Sequence, residues 1–174
     1  MESTLVNADG TLNIVPSAAS SASDFDFFFG KWSIRNRKLK SRLTGCGEWL
    51  EFDAEQECRP LLLGSANIDN FLADVGGRPF EGMTLRLFDP QTRLWSIYWA
   101  DSNVVRLDVP QVGSYDRNVG RFFARDVHDG RKIIVQFVWD KTDPDAPVWS
   151  QAFSADEGRT WEWNWYMYMT RKGE

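Results

Sequence analysis

A single histidine and two cysteines are all that these 174 residues offer to the commonest catalytic and metal-binding chemistries. One imidazole disfavours Ser-His-Asp and Cys-His catalysis, His-rich zinc sites and proximal-His haem ligation together. His128 lies in VHDGRK, where Asp129-Gly130 reads as a tight hairpin turn, so it is expected as a solvated residue at an exposed tip. Cys46 and Cys58 are too far apart for a CxxC redox or zinc pair and are expected as two unlinked thiols. No metal and no cofactor is expected, which leaves carboxylates, tyrosines and arginines as the available acid–base groups.

Other absences narrow the field further. No glycine-rich phosphate loop of the GxGxxG or GxxxxGK[ST] type occurs, and no helix-period stretch exceeds two turns, which excludes strand–helix–strand cofactor folds. No apolar run approaches the ~18 residues of a membrane span. The opening MESTLVNADG lacks the basic and apolar regions of a secretory signal, so a cytoplasmic location without membrane contact is expected. With 20 Lys+Arg against 25 Asp+Glu, the net charge of -5 provides no footprint for nucleic acid.

Internal repeats are also missing, and this decides how one motif is read. SADEGRTW, Ser154 to Trp161, fits S-x-D-x-G-x-T-W and resembles the Asp-box of sialidases and other glycan-handling propellers. A propeller needs several blades of roughly 40–50 residues each, and no second box is present, so catalytic sialidase activity does not fit. The motif is read as a structural hairpin in which the Asp156 carboxylate accepts backbone N–H groups, Gly158 supplies a positive φ, and Trp161 packs beneath.

What is present is mostly strand. Residues 1–23, with the small and polar PSAASSAS, read as a flexible N-terminal leader, and residues 24–174 as one domain. DFDFFFGKW opens that domain: Phe25, Phe27, Phe28 and Phe29 predict a short helical turn with Asp24 as its N-cap, plugging one end of the fold. Strand-like runs follow at 32–39, 47–58, 61–71, 82–88, 93–101, 104–109, 112–115, 121–126, 132–139, 148–154 and 160–170. About ten antiparallel strands in sequence order would leave two open edges in a single sheet, so closure into an all-β up-and-down barrel is predicted.

Alternation gives each strand two faces. Trp161, Trp163, Trp165, Met167 and Met169 share one side of the last run, against Glu162, Asn164, Tyr166 and Tyr168. Trp95, Ile97 and Trp99 oppose Ser96 and Tyr98; Ile133, Val135, Phe137 and Trp139 oppose Gln136; Met83, Leu85 and Leu87 oppose Thr84 and Arg86.

Gly30-Lys31-Trp32 matches the G-x-W signature that opens the first strand of lipocalins and their calycin relatives, and Arg171 stands where that superfamily often packs an arginine over the tryptophan. The blocks FEGMTLRLFDPQTRLWSIYWADS and VWSQAFSADEGRTWEWNWYMYMTR are more specific, and with them the chain resembles an uncharacterised bacterial family of lipocalin-like barrels over roughly residues 25–171. The resemblance implies a calycin-type barrel and carries no activity.

Function is sought in the interior, which small barrels either fill or hollow out for one small ligand. Nine tryptophans and twelve phenylalanines suggest a cavity walled by Trp95, Trp99, Trp149, Trp163 and Trp165 that holds a small apolar or planar molecule. An aromatic core, or an aromatic exterior buried in a homodimer that acts as an interaction module without ligand, accounts for the same excess. Arg86, Tyr98, Gln136 and Asn164 are placed together on the face opposite the tryptophans. Outside, they are ordinary solvated residues. Inside, Arg86 would hold a carboxylate or enolate, Tyr98 would donate, Gln136 and Asn164 would orient, and Asn67 and Asp69 would add a carboxylate, as an isomerase or cyclase requires.

Overall fold

The computed structural model describes residues 4–173. Ten strands are formed: β1 (Gly30–Leu39), β2 (Trp49–Leu61), β3 (Ala66–Asp74), β4 (Pro79–Asp89), β5 (Leu94–Asp101), β6 (Gln111–Asp116), β7 (Val119–His128), β8 (Arg131–Asp140), β9 (Val148–Ser154) and β10 (Glu162–Arg171). Each pairs antiparallel with its sequence neighbours, and β10 pairs with β1, giving the closed up-and-down barrel expected from the sequence. Closure leaves no row of unpaired backbone groups at a sheet edge. Among the described residues, no helix is long and apolar enough to cross a membrane.

Turn chemistry sets several registers. His128 pairs with Arg131 across a two-residue hairpin whose Asp129 and Gly130 have φ of 49° and 76°, the type I′ geometry that Asp-Gly favours. The Asp-box closes the β9–β10 connection: Asp156 Oδ1 accepts from the Arg159 and Thr160 N–H groups at 3.1 and 2.9 Å, and Oδ2 from the Thr160 hydroxyl at 2.6 Å. Ser154 Oγ donates to Asp156 Oδ1 and accepts from the Gly158 N–H, both at 2.8 Å. Trp161 packs against Phe123 on the outer face, with ring centres 6.3 Å apart.

One end of the barrel is plugged. Asp26–Phe28 forms a short 3-10 turn, and Phe25 and Phe28 are wholly buried beneath it. Phe25 meets Trp95 and Tyr115 edge-on at 5.0 and 5.2 Å, and Phe28 meets Trp139 at 4.9 Å, spacings typical of favourable aromatic pairs. Asp24 does not cap this turn. Its carboxylate accepts from the Ser21 N–H at 3.0 Å and the Trp95 indole at 3.4 Å, tying the preceding segment to β5. That segment runs along the outer face, where the Ser17 N–H donates to Ser114 Oγ at 2.9 Å and Ser20 Oγ to the Arg93 carbonyl at 2.8 Å.

The run 104–109 is loop, not strand. Asp101 Oδ1 accepts from the Asn103 and Val104 N–H groups at 2.9 and 3.0 Å, which turns the chain out of β5. Only Trp95, Ser96 and Ile97 of β5 therefore pair with β6. The loop returns alongside the unpaired part of β5, with the Asp108 N–H donating to the Trp99 carbonyl at 2.8 Å.

A bulge in β10 changes which face its side chains occupy. Trp163 pairs with Ala152, but Trp165 pairs with Gln151, so Asn164 is the extra residue and the alternation shifts by one. Trp165, Met167 and Met169 point inward, whereas Trp163 is 38% exposed on the outside. The single tryptophan face expected for this strand is thereby split.

Candidate functional site

Opposite the plug, the barrel holds an open cavity of about 320 Å³. Its two walls are aromatic. Phe71 of β3 and Trp99 of β5 form one, with ring centres 6.0 Å apart; Phe137, Trp149 and Trp165 of β8, β9 and β10 form the other, with Trp149 at 4.9 Å from Phe137 and 5.5 Å from Trp165. In the ring of ten strands these groups lie on opposite sides.

Trp99 owes its place to Gly82. A Cβ at residue 82 would stand 2.2 Å from the indole, so only glycine lets the ring lie against the β4 backbone. The indole N–H donates to Asp101 Oδ2 at 3.0 Å, which fixes the ring from its other edge.

The floor is polar, with a charged pair at its centre. Arg86 and Asp69 have side chains only 2% and 0% exposed. Arg86 Nη1 donates to Asp69 Oδ2 at 2.5 Å and to Asn67 Oδ1 at 2.9 Å, while Gln56 Nε2 donates to Asp69 Oδ1 at 2.5 Å. The guanidinium carbon also lies 5.0, 5.3 and 5.5 Å from the ring centres of Phe25, Phe28 and Trp139. Separating these charges would leave one of them buried alone, so the pair is strongly held. Cys58 borders it, donating to Asn67 Oδ1 at 3.7 Å, and burial pushes its thiol up to about 12, which makes it a poor nucleophile.

Charge gathers at the mouth. Lys38, Arg42, Asp101, Asp108, Asp126 and His128 all line it. Lys38 Nζ sits 4.0 Å from the Trp165 ring centre. Burial foremost, and then the Arg42 charge, push this ammonium down to about 8, against the opposing pull of Asp101. Asp108 is raised, chiefly by burial and then by Asp126 and Asp101. His128 is not at a solvated tip: its side chain is 20% exposed and its ring packs at a tilt against Phe153, centre to centre 5.3 Å, at the cavity rim.

The residues singled out from the sequence separate into three groups. Arg86, Trp99, Trp149 and Trp165 line the cavity. Asn67, Asp69 and Asn164 are buried behind it, Asn164 Oδ1 accepting from the cavity residue Gln151 at 2.9 Å, and Trp95 is buried in the plug. Tyr98, Gln136 and Trp163 face outward: Tyr98 pairs with Leu85 between the inward Ile97 and Trp99, and Gln136 lines an outer groove together with Ile14 and Val15 of the N-terminal segment. The expectation that Arg86 and Tyr98 share a face is therefore corrected. Register sets Arg86 beside Ile97 and Thr84 beside Trp99, so Arg86 shares the interior with the β5 tryptophans.

Several cavity residues escaped the sequence reading. Lys38 has the same strand parity as the buried Trp32, Ile34 and Asn36, and Gln56 the same parity as Ala54 and Cys58, so alternation alone could have marked both. Arg42, Asp108 and Gln111 come from loops or a strand end and carried no such signal.

The arrangement defines a closed ten-stranded antiparallel barrel with an aromatic-walled interior chamber, neutral in charge at its floor and charged at its rim. No protein-family model matches the chain, and no curated protein matches it.

Proposed function

We propose that the protein is a calycin-like barrel that binds a small, largely apolar, planar molecule in its interior. The observation that carries this reading is the pair of facing aromatic walls around a chamber of about 320 Å³, within the size range of small-molecule sites. Two flat walls favour a flat guest, because rings gain most when they stack or meet edge-on. Cys46 and Cys58 are both free thiols, which suits a reducing compartment, and we place the protein in the cytoplasm.

Titration with planar one- and two-ring aromatic compounds tests the reading. Binding quenches tryptophan emission, since Trp99, Trp149 and Trp165 all line the chamber, and raises the melting temperature as ligand exceeds its dissociation constant. A broad panel that produces neither quenching nor a melting shift contradicts it.

A further inference from the structure

Asp69 is bonded from two sides, and this leaves two buried polar atoms with no protein partner: Gln56 Oε1 and Arg86 Nε. Both residues line the cavity, with overall exposures of 7% and 2%. The orientation of the Gln56 amide is fixed by chemistry. An ionised carboxylate only accepts, so the group facing Asp69 must be the NH₂, and the oxygen must be the free end. Among the described residues, the chamber's lining therefore contains one unmet donor, Arg86 Nε, and two unmet acceptors, Gln56 Oε1 and Gln111 Oε1, of which Gln56 is the one joined to Arg86 through Asp69.

We propose that the guest carries a neutral ring hydroxyl at its leading end, donating to Gln56 Oε1 and accepting from Arg86 Nε. This rests on the ligand-barrel reading and names the chemical class of ligand. A hydroxyl supplies the missing donor and the missing acceptor in one group. A hydrocarbon end supplies neither and leaves both atoms dry. A carboxylate end supplies acceptors only: it finds Arg86 already neutralised by Asp69, and it brings a second negative charge beside the Gln56 oxygen. The arginine, which from sequence suggested a site for an anion, instead belongs to a neutral floor.

Three matched probes decide the matter: 2-naphthol, 2-methylnaphthalene and 2-naphthoate, each titrated at pH 7 by quenching of tryptophan emission. At that pH the naphthol is neutral, as expected of a phenol with a pKa near ~10. The naphthol is expected to bind at least about tenfold more tightly than either of the others, because a site built around a hydroxyl rejects analogues that lack one. In Gln56→Leu the advantage over 2-methylnaphthalene shrinks to within about threefold, on the same principle. Should that variant fail to fold, the comparison of the three probes on the unaltered protein still decides. Equal or tighter binding of 2-methylnaphthalene or 2-naphthoate overturns the hydroxyl assignment and leaves the ligand barrel standing. Absence of binding by all three, together with silence from the wider aromatic panel, overturns both.

Discussion

Trp32 and Arg171 stand directly opposite one another in the β1–β10 register, with the guanidinium carbon 4.2 Å from the centre of the indole. This contact fastens the two ends of the sheet where the barrel closes. Arg171 also donates to the carbonyls of Phe29 and Phe27, at 2.9 and 2.5 Å, and Trp32 Nε1 donates to the Phe28 carbonyl at 2.8 Å, so the same pair holds the plug. Trp32, with 0% exposure, is expected to cost about 3–5 kcal/mol when replaced by alanine. Arg171→Met is expected to cost about 1–3 kcal/mol through the lost charge-assisted bonds. Urea unfolding of both variants checks these values, and changes under ~0.5 kcal/mol in both would contradict the seam's role.

Asp156 is half-buried, and its hydrogen bonds from the Thr160 hydroxyl, the Thr160 N–H and Ser154 hold its carboxyl down at about 2. Its folded pKa is below the ordinary value of 3.8, so its stabilising effect is complete above that value and is lost as pH falls from 3.8 toward 2. Asp156→Ala is expected to lower the melting temperature at pH 7 by a few degrees, with the difference from the unaltered protein shrinking below pH 3.8. Binding in the barrel should be unchanged, since Asp156 does not line the cavity. Calorimetry across pH, paired with fluorescence titration, measures both effects.

Gly82→Ala tests the aromatic wall. The added methyl cannot coexist with the Trp99 ring at 2.2 Å, so the indole must move off the β4 backbone. The outcome expected is a loss of ligand affinity of about tenfold or more, equivalent to ~1.4 kcal/mol. Unchanged affinity in a folded variant would mean that Trp99 does not shape the chamber.

Lys38 contributes a destabilising effect, in an alkaline window. Its folded pKa of about 8 lies below the ordinary 10.5, so the buried ammonium weakens the fold below pH 8 and that cost disappears as pH rises toward 10.5. Lys38→Met should therefore be more stable than the unaltered protein at pH 7, by roughly 1–3 kcal/mol on the scale of 1.36 kcal/mol per pKa unit. At pH 10 most of that advantage should be gone. Denaturant midpoints at the two pH values measure it, and an advantage that grows with pH would contradict the assigned environment of Lys38.

The barrel was legible in the sequence because its signals are local. Alternating apolar residues, the Asp129-Gly130 turn and the Asp-box each act within a few residues, and each appears where it was expected. The Trp32–Arg171 closure was also visible, through the G-x-W motif and a late arginine. The interior was much less legible, because it depends on the phase of one strand against the next. Nothing near Arg86 in sequence says that it faces inward beside Ile97; the register of β4 against β5 decides that. The bulge at Asn164 is a similar case, one extra residue that sends Trp163 out and Trp165 in. The mouth drew on residues such as Arg42 and Asp108, which lie in connections where periodicity carries no information.

Methionine methyl resonances offer the most direct test that the interior takes a planar guest. Met167 and Met169 line the chamber, whereas Met83 sits on the outer face at 36% exposure. In protein labelled with ¹³C at the methionine methyls, titration with 2-naphthol should produce saturable ring-current shifts and intermolecular NOEs at Met167 and Met169, with Met83 unmoved. Shifts confined to Met83, or none at any of the three while tryptophan emission is quenched, would place the ligand on the outside and contradict the account.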